Sequence, residues 1–299
     1  MRVNTMDYRS ISAKSFLVWL FLFCLVAAAP ATVSAAALPV DAYLEIEGGS
    51  IIGGAHAVGG SWAIARNNGG LSVGPTNATS LRGPVSVNGV VYSGASTQAL
   101  ILNDDAHGDY ITFTATANHP IISFGGFINI GVVKNYALND VFYIDNTSGY
   151  PWIVAPQIIA DDTCSTCVQI ESAVGNSTVH GSSKKPVTPG KTYWFSSKVD
   201  ATAGKVYLSL FDPDNNYAEV YNQSIASDNW SSSSKLVLRM GRQDAHTGNS
   251  PQGTKSYMDN IIIDWTNHSY PLIPGAGGAT SPPPPTAVKP APPTNLQVK

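Results

Sequence analysis

The sequence predicts an all-β protein, a sandwich or a barrel. Three observations carry that reading. Short segments rich in Val, Ile, Tyr, Phe and Thr recur along the chain, Gly, Asn, Asp, Ser and Pro separate them, and no long stretch keeps a helical period. With 27 Gly and 20 Pro spread among these segments, a helical alternative is penalised again and again.

The first element is not part of that fold. Arg2, Arg9 and Lys14 precede an apolar or small run from Phe16 to Ala29, which leads to Val33-Ser34-Ala35-Ala36. That order is expected of a secretory signal over residues 1–35, cut before Ala36. The run of about fourteen residues is short of the roughly 18 to 20 that span a bilayer, and no second apolar span follows. Cys24 follows Phe21-Leu22-Phe23, which does not suit a lipoprotein anchor. A secreted protein, extracellular or periplasmic, with no membrane span after cleavage is therefore expected. Loss of Arg2, Arg9, Lys14 and Asp7 leaves a chain more negative than the −3 of the whole sequence, with 12% charged residues overall, so nothing draws it to nucleic acid.

Strands are expected at 43–47, 99–102, 110–116, 121–124, 141–144, 168–171, 192–199, 205–211, 235–240 and 260–265, within one domain over residues 36–273. The most specific local expectation is a hairpin. In residues 191–199 alternation puts Tyr193, Phe195 and Val199 on one face and Trp194, Ser196 and Lys198 on the other. In 205–211, Val206, Leu208 and Leu210 share a face, with Tyr207, Ser209 and Phe211 opposite. If both apolar sets face the core across the turn at 200–204, Val199 pairs with Val206 and Trp194 with Phe211. Residues 274–299 are expected to be a proline-rich tail or linker: Pro282-Pro283-Pro284-Pro285 and Pro290-Ala291-Pro292-Pro293 read as an extended spacer.

Several stretches resemble a concanavalin A-like lectin/glucanase sandwich, the jelly roll also seen in laminin G-like modules. Tyr43-Leu44-Glu45-Ile46-Glu47-Gly48 looks like its opening strand, Pro189-Gly190-Lys191-Thr192-Tyr193-Trp194 like the entry to its central hairpin, and Tyr257-Met258-Asp259-Asn260-Ile261-Ile262-Ile263-Asp264 like its closing strand. The resemblance implies a two-sheet antiparallel β-sandwich with a concave face that often holds a saccharide, on a fold shared by lectins, hydrolases, lyases and adhesive modules. Separately, Pro292-Pro293-Thr294-Asn295-Leu296-Gln297-Val298 resembles the first strand of a fibronectin type III domain.

Chemistry-bearing residues are sparse. Glu45 and Glu47 share a strand face, but hydrolases of the resembled fold carry a third acid that is missing here, and no catalytic residue is assigned. Cys164-Ser165-Thr166-Cys167 holds both cysteines that survive signal cleavage, and in an oxidising compartment a disulfide that stiffens a turn is expected. So small a loop contributes about 2 kcal/mol at most. Asp104 and Asp105, and Asp212 and Asp214, lie in clusters that could supply oxygens to calcium, or could simply cap turns. No other cofactor is indicated. Arg239, Arg242, His246 and Tyr257 are the residues that a lyase centre would need to bring together.

The aromatic residues are the most usable lead, because sugar rings stack an apolar C–H face on Trp or Tyr. Trp194, Phe211, Tyr207 and Lys198 fall on the hairpin face opposite the core, and Trp152 could rim it. These five are the candidate ligand-binding residues, with burial under other parts of the domain as the plain alternative. The reading that follows is a secreted, non-catalytic module that binds a polysaccharide or cell-surface glycan. The other readings are a polysaccharide hydrolase or lyase using the concave face, and a structural or adhesive extracellular module.

Overall fold

The computed structural model describes residues 40–46, 49–67, 69–75, 85–87, 90–92, 98–103, 109–130, 138–140, 142–146, 149–161, 163–228, 235–242 and 255–274. The expected signal, Asp104, Asp105, His246 and the proline-rich stretch with its fibronectin-like end lie outside them.

Among the described residues the chain is almost entirely strand. It opens with β1 (Ala42–Glu45), β2 (Gly54–Ala57), β3 (Gly60–Arg66), β4 (Leu71–Pro75), β5 (Val85–Val87), β6 (Val90–Tyr92) and β7 (Gln98–Asn103). The middle comprises β8 (Asp109–Asn118), β9 (Ile121–Asn129), β10 (Leu138–Asp140), β11 (Phe142–Asn146), β12 (Gly149–Asp161), β13 (Cys164–Val174), β14 (Ser177–His180) and β15 (Lys185–Pro186). The last part holds β16 (Thr192–Asp200), β17 (Lys205–Asp212), β18 (Ala218–Ala226), β19 (Lys235–Arg242) and β20 (Lys255–Asp264). Among the described residues no helix is long and apolar enough to cross a membrane.

Two large antiparallel sheets result, beside a separate two-stranded pair, β5-β6. The first runs β18-β17-β16-β9-β20-β1-β2, with β7 on β20 and β4 on β7. The second runs β14-β13-β12-β11-β19-β8-β3, with β10 on β12 and β15 on β13. The hairpin register read from alternation is the one observed: Val199 pairs with Val206 and Trp194 with Phe211. The opening and closing strands, β1 and β20, lie side by side.

The two sheets pack face to face, and the layer between them is the main core. Phe124 and Phe195 come from the first sheet and Phe142 from the second. Their ring centroids lie 4.4 Å (Phe142 to Phe195), 5.8 Å (Phe124 to Phe142) and 6.1 Å (Phe124 to Phe195) apart. In β8, Ile111, Phe113 and Ala115 are buried in this layer while Thr112 and Thr114 between them are half-buried on the other face, as period-2 alternation requires.

The first sheet is also covered on its outer face. Trp194, Phe127, Phe211, Tyr257, Tyr43, Ile101 and Ile262 form a second apolar cluster there, closed by Val40 and Leu272. Trp194 is 0% exposed, its indole N–H donates to the Leu272 carbonyl (2.6 Å), and the Leu272 N–H donates to Ser196 Oγ (2.9 Å). Gly125 in β9 makes room beneath: a Cβ on it would sit 2.7 Å from the Phe195 carbonyl oxygen and 3.4 Å from the Trp194 ring.

Side chains shape the path that brings Leu272 there. Asp41 accepts the N–H groups of Trp265 (2.7 Å) and Thr266 (2.9 Å), and Asp264 accepts those of Asn267 (2.9 Å) and Ser269 (3.2 Å). Where β20 leaves register with β9, Asn260 takes φ +52°, a region Asn tolerates, and its amide donates to the Tyr43 hydroxyl (2.8 Å).

His119 stacks on Trp265 at 4.5 Å, and burial lowers its pKa below the ordinary 6.5, against the pull of Asp41 and with a smaller push from His268. Above pH 6.5 neither folded nor unfolded chain carries that proton. As pH falls from 6.5 through the depressed folded value, the unfolded chain binds it first, so stability is lost in that window. Urea titrations from pH 7.5 to 5 should show this loss in the parent and a smaller one in His119→Phe, which keeps the stack; identical slopes would contradict it.

Candidate functional site

The outer face of the second sheet carries a polar network between β12, β13 and β14. In β13, Val168 and Ile170 point into the core, so Gln169 and Glu171 point away from it. Register sets Gln157 opposite Gln169 and His180 opposite Glu171, and a register shift between Val154 and Gln157 puts Gln157 on this face.

The carboxylate dictates the orientation of both amides. Glu171 Oε2 accepts from Gln157 Nε2 (2.9 Å), which turns Gln157 Oε1 to accept from Gln169 Nε2 (2.6 Å). Gln169 Oε1 is thereby left facing away, and it has no hydrogen-bond partner among the described residues although Gln169 is only 4% exposed. A buried acceptor left without any partner costs about 1–3 kcal/mol, which makes this oxygen the least satisfied polar atom of the network. His180 Nδ1 is 2.8 Å from Glu171 Oε2 and 3.2 Å from Gln169 Nε2; the shorter contact assigns its proton to Nδ1, and Nε2 is left to bond elsewhere. Gln157 and Glu171 are buried, whereas His180 is half exposed at the margin.

The residues expected to bind a ligand are divided by the structure. Trp194 and Phe211 pack in the apolar cluster under Leu272, which corrects their assignment to a ligand-facing surface: alternation put them on the right face, and the closing segment covers that face. Tyr207 and Lys198 are half-buried beside it, with the Lys198 ammonium 4.5 Å from the Tyr207 ring centroid. Trp152 pairs with Asp145 in the β11–β12 ladder, and its side chain lies outside the described residues.

Both Asp212 oxygens are engaged within the protein. Oδ1 accepts the Asp214 N–H (3.1 Å) at the start of a 3-10 turn over Pro213–Asn215, and Oδ2 holds Lys191 Nζ at 2.6 Å, a bond that raises the lysine pKa. The Asp212 side chain thus caps this turn and pairs with an ammonium. Among the described residues no three His, Cys, Asp or Glu side chains converge as metal ligands. The lyase constellation does not assemble either: Arg239 packs over Tyr110 (5.2 Å) on the second sheet, while Tyr257 is buried in the outer cluster of the first. Cys164 and Cys167 form the expected disulfide, at the start of β13 just after the turn from β12.

Neither a protein-family model nor a curated protein matches the chain. Solved structures similar to it include a marine PL-14 alginate lyase from Aplysia kurodai (9% identity, TM-score 0.42, 60% of this chain and 86% of that one). Basic winged bean lectin with Tn-antigen (10%, 0.39, 68% and 97%) and a GH43 protein from Bacillus licheniformis (8%, 0.41, 56% and 33%) are also similar. The chain spans about a third of the length of the GH43 protein. Likeness of this size carries no argument about what the chain binds. The fold itself stands on its own strand pairing: an all-β sandwich of two antiparallel sheets.

Proposed function

We propose that the chain is a carbohydrate-binding module whose ligand meets the outer face of the second sheet at Gln169, with His180 at the rim. The observation that carries this is the Gln169 carbonyl oxygen: buried, oriented through Gln157 by the Glu171 carboxylate, and without a donor among the described residues. The oxygen is enclosed in the unbound fold, so a sugar hydroxyl reaches it by displacing the half-exposed His180 at the rim, and the pre-oriented acceptor then loses little entropy on binding. The disulfide and the Phe16–Ala29 run ahead of Val33-Ser34-Ala35 support an exported member of the concanavalin A-like sandwiches.

A glycan array with the exported chain tests this. The parent should bind at least one saccharide, and Gln169→Leu should weaken it about tenfold, the worth of one buried hydrogen bond. A flat array, or undiminished binding by a folded Gln169→Leu, would sink the proposal. The contact between Glu171 and His180 favours one second reading, acid–base catalysis at the same place. Release of new reducing ends or unsaturated products from a bound polymer, lost in Glu171→Gln, would replace binding by that reading.

A further inference from the structure

The other sheet carries a second cluster with different chemistry, beside the apolar patch that buries Trp194. Register brings Lys198 opposite Tyr207 and Ser209 opposite Asn222, so β16, β17 and β18 contribute in turn to one stretch of the outer face. Tyr270 belongs to no strand. It arrives because Leu272, two residues on, is pinned at both polar backbone atoms, its carbonyl by Trp194 and its N–H by Ser196. Tyr270 thus stands beside Tyr207, with ring centroids 5.5 Å apart and planes tilted by 51°, and its hydroxyl is 3.0 Å from Ser209 Oγ. Ser209 Oγ donates to Glu219 Oε1 (3.1 Å), which also accepts from Asn222 Nδ2 (2.8 Å).

The charges select the ligand. Lys198 Nζ lies 4.5 Å from the Tyr207 ring and 5.7 Å from that of Tyr270, and 3.2 Å from Asp200 Oδ2. Burial alone would raise the Asp200 pKa, but the Ala203 amide and Lys198 outweigh it and hold the carboxyl below its ordinary range. The one ammonium of the cluster is therefore already neutralised by its own neighbour, and the exposed Glu219 adds a negative charge. A polyanion is repelled here, whereas a neutral sugar is not. Burial pushes the Tyr270 phenol up to about 12, and with the Ser209 proton given to Glu219 the Tyr270 hydroxyl donates to Ser209 Oγ.

We propose that Tyr207 and Tyr270, with Glu219 and Asn222, form a second carbohydrate site, for neutral polysaccharide, completed by the closing segment. Two half-buried tyrosines offer ring surface to the C–H face of a pyranose, and an exposed carboxylate and carboxamide beside them meet its hydroxyls. Trp194 is then a positioning residue: it touches no ligand, but it holds the segment that seats Tyr270.

Affinity electrophoresis in gels containing galactomannan, xyloglucan or dextran tests this site, with alginate as the polyanionic control. The parent should be retarded by at least one neutral polymer, and both Tyr207→Ala and Tyr270→Ala should reduce that affinity about tenfold while still melting cooperatively. If Gln169→Leu abolishes retardation and both tyrosine variants run like the parent, this site is refuted and the first one stands. If the tyrosine variants lose retardation and Gln169→Leu does not, this site stands whatever the array shows for the first. Retardation by alginate alone, or by no polymer, overturns the proposal.

Discussion

Trp194→Ala should destabilise the protein by about 3–5 kcal/mol, the range for emptying a fully buried large aromatic position. The indole lies edge-on to Phe127 at 4.9 Å, packs in one cluster with Phe211 and Leu272, and supplies the donor to the Leu272 carbonyl. Truncation removes the ring and strands that carbonyl, so the closing segment loses both its apolar seat and one of its two anchors. Trp194→Phe keeps most of the volume and should lose about 1–2 kcal/mol, mainly through the missing N–H. Denaturant titration separates this account from a ligand-facing Trp194, whose truncation would leave stability within about 1 kcal/mol of the parent. That second result would contradict the covered face.

Phe195→Ala should cost a similar 3–5 kcal/mol through a different layer. Phe195 sits one residue along the same strand and on the opposite face, where it bridges Phe124 of its own sheet and Phe142 of the other. Its removal opens a void between the sheets that neither backbone ladder can close without breaking register. Phe195→Leu retains most of the buried surface and should cost about 1–1.5 kcal/mol. Loss of less than about 1 kcal/mol in the alanine variant would mean that the triad does not join the two sheets.

These neighbouring residues show how far the sequence could be read. Alternation along 192–199 and 205–211 was enough to read the hairpin register, because a slip by one residue would have put Phe195 on one face and Leu208 and Leu210 on the other. It also put Trp194 on the face away from the core. What covers that face was not legible: Leu272 is 78 residues away, in a segment that reads as the approach to a proline-rich tail. Period-2 patterning tells which side of a strand a residue takes, and nothing about what lies against that side.

The polar network was missed for a related reason. No strand is expected between 144 and 168, yet β12 runs there for 13 residues, through Pro151. Without β12, Gln157 has no partner to be set against. A usable signal did exist in the strand expected at 168–171, where Gln169 and Glu171 alternate with Val168 and Ile170. Two polar residues in step on one face of a core strand are unremarkable on an open surface. Only the burial of both, with one oxygen unpartnered, distinguishes them, and that comes from tertiary structure.

The most direct test of carbohydrate recognition at Gln169 is to follow the side-chain amide resonances of the glutamines by NMR while titrating the saccharide selected on the array. The Gln169 carboxamide should shift in proportion to occupancy, with Gln157 following because its carbonyl is bonded to the same amide. Saturated binding with both carboxamides unmoved would contradict the assignment of the ligand to the outer face of the second sheet.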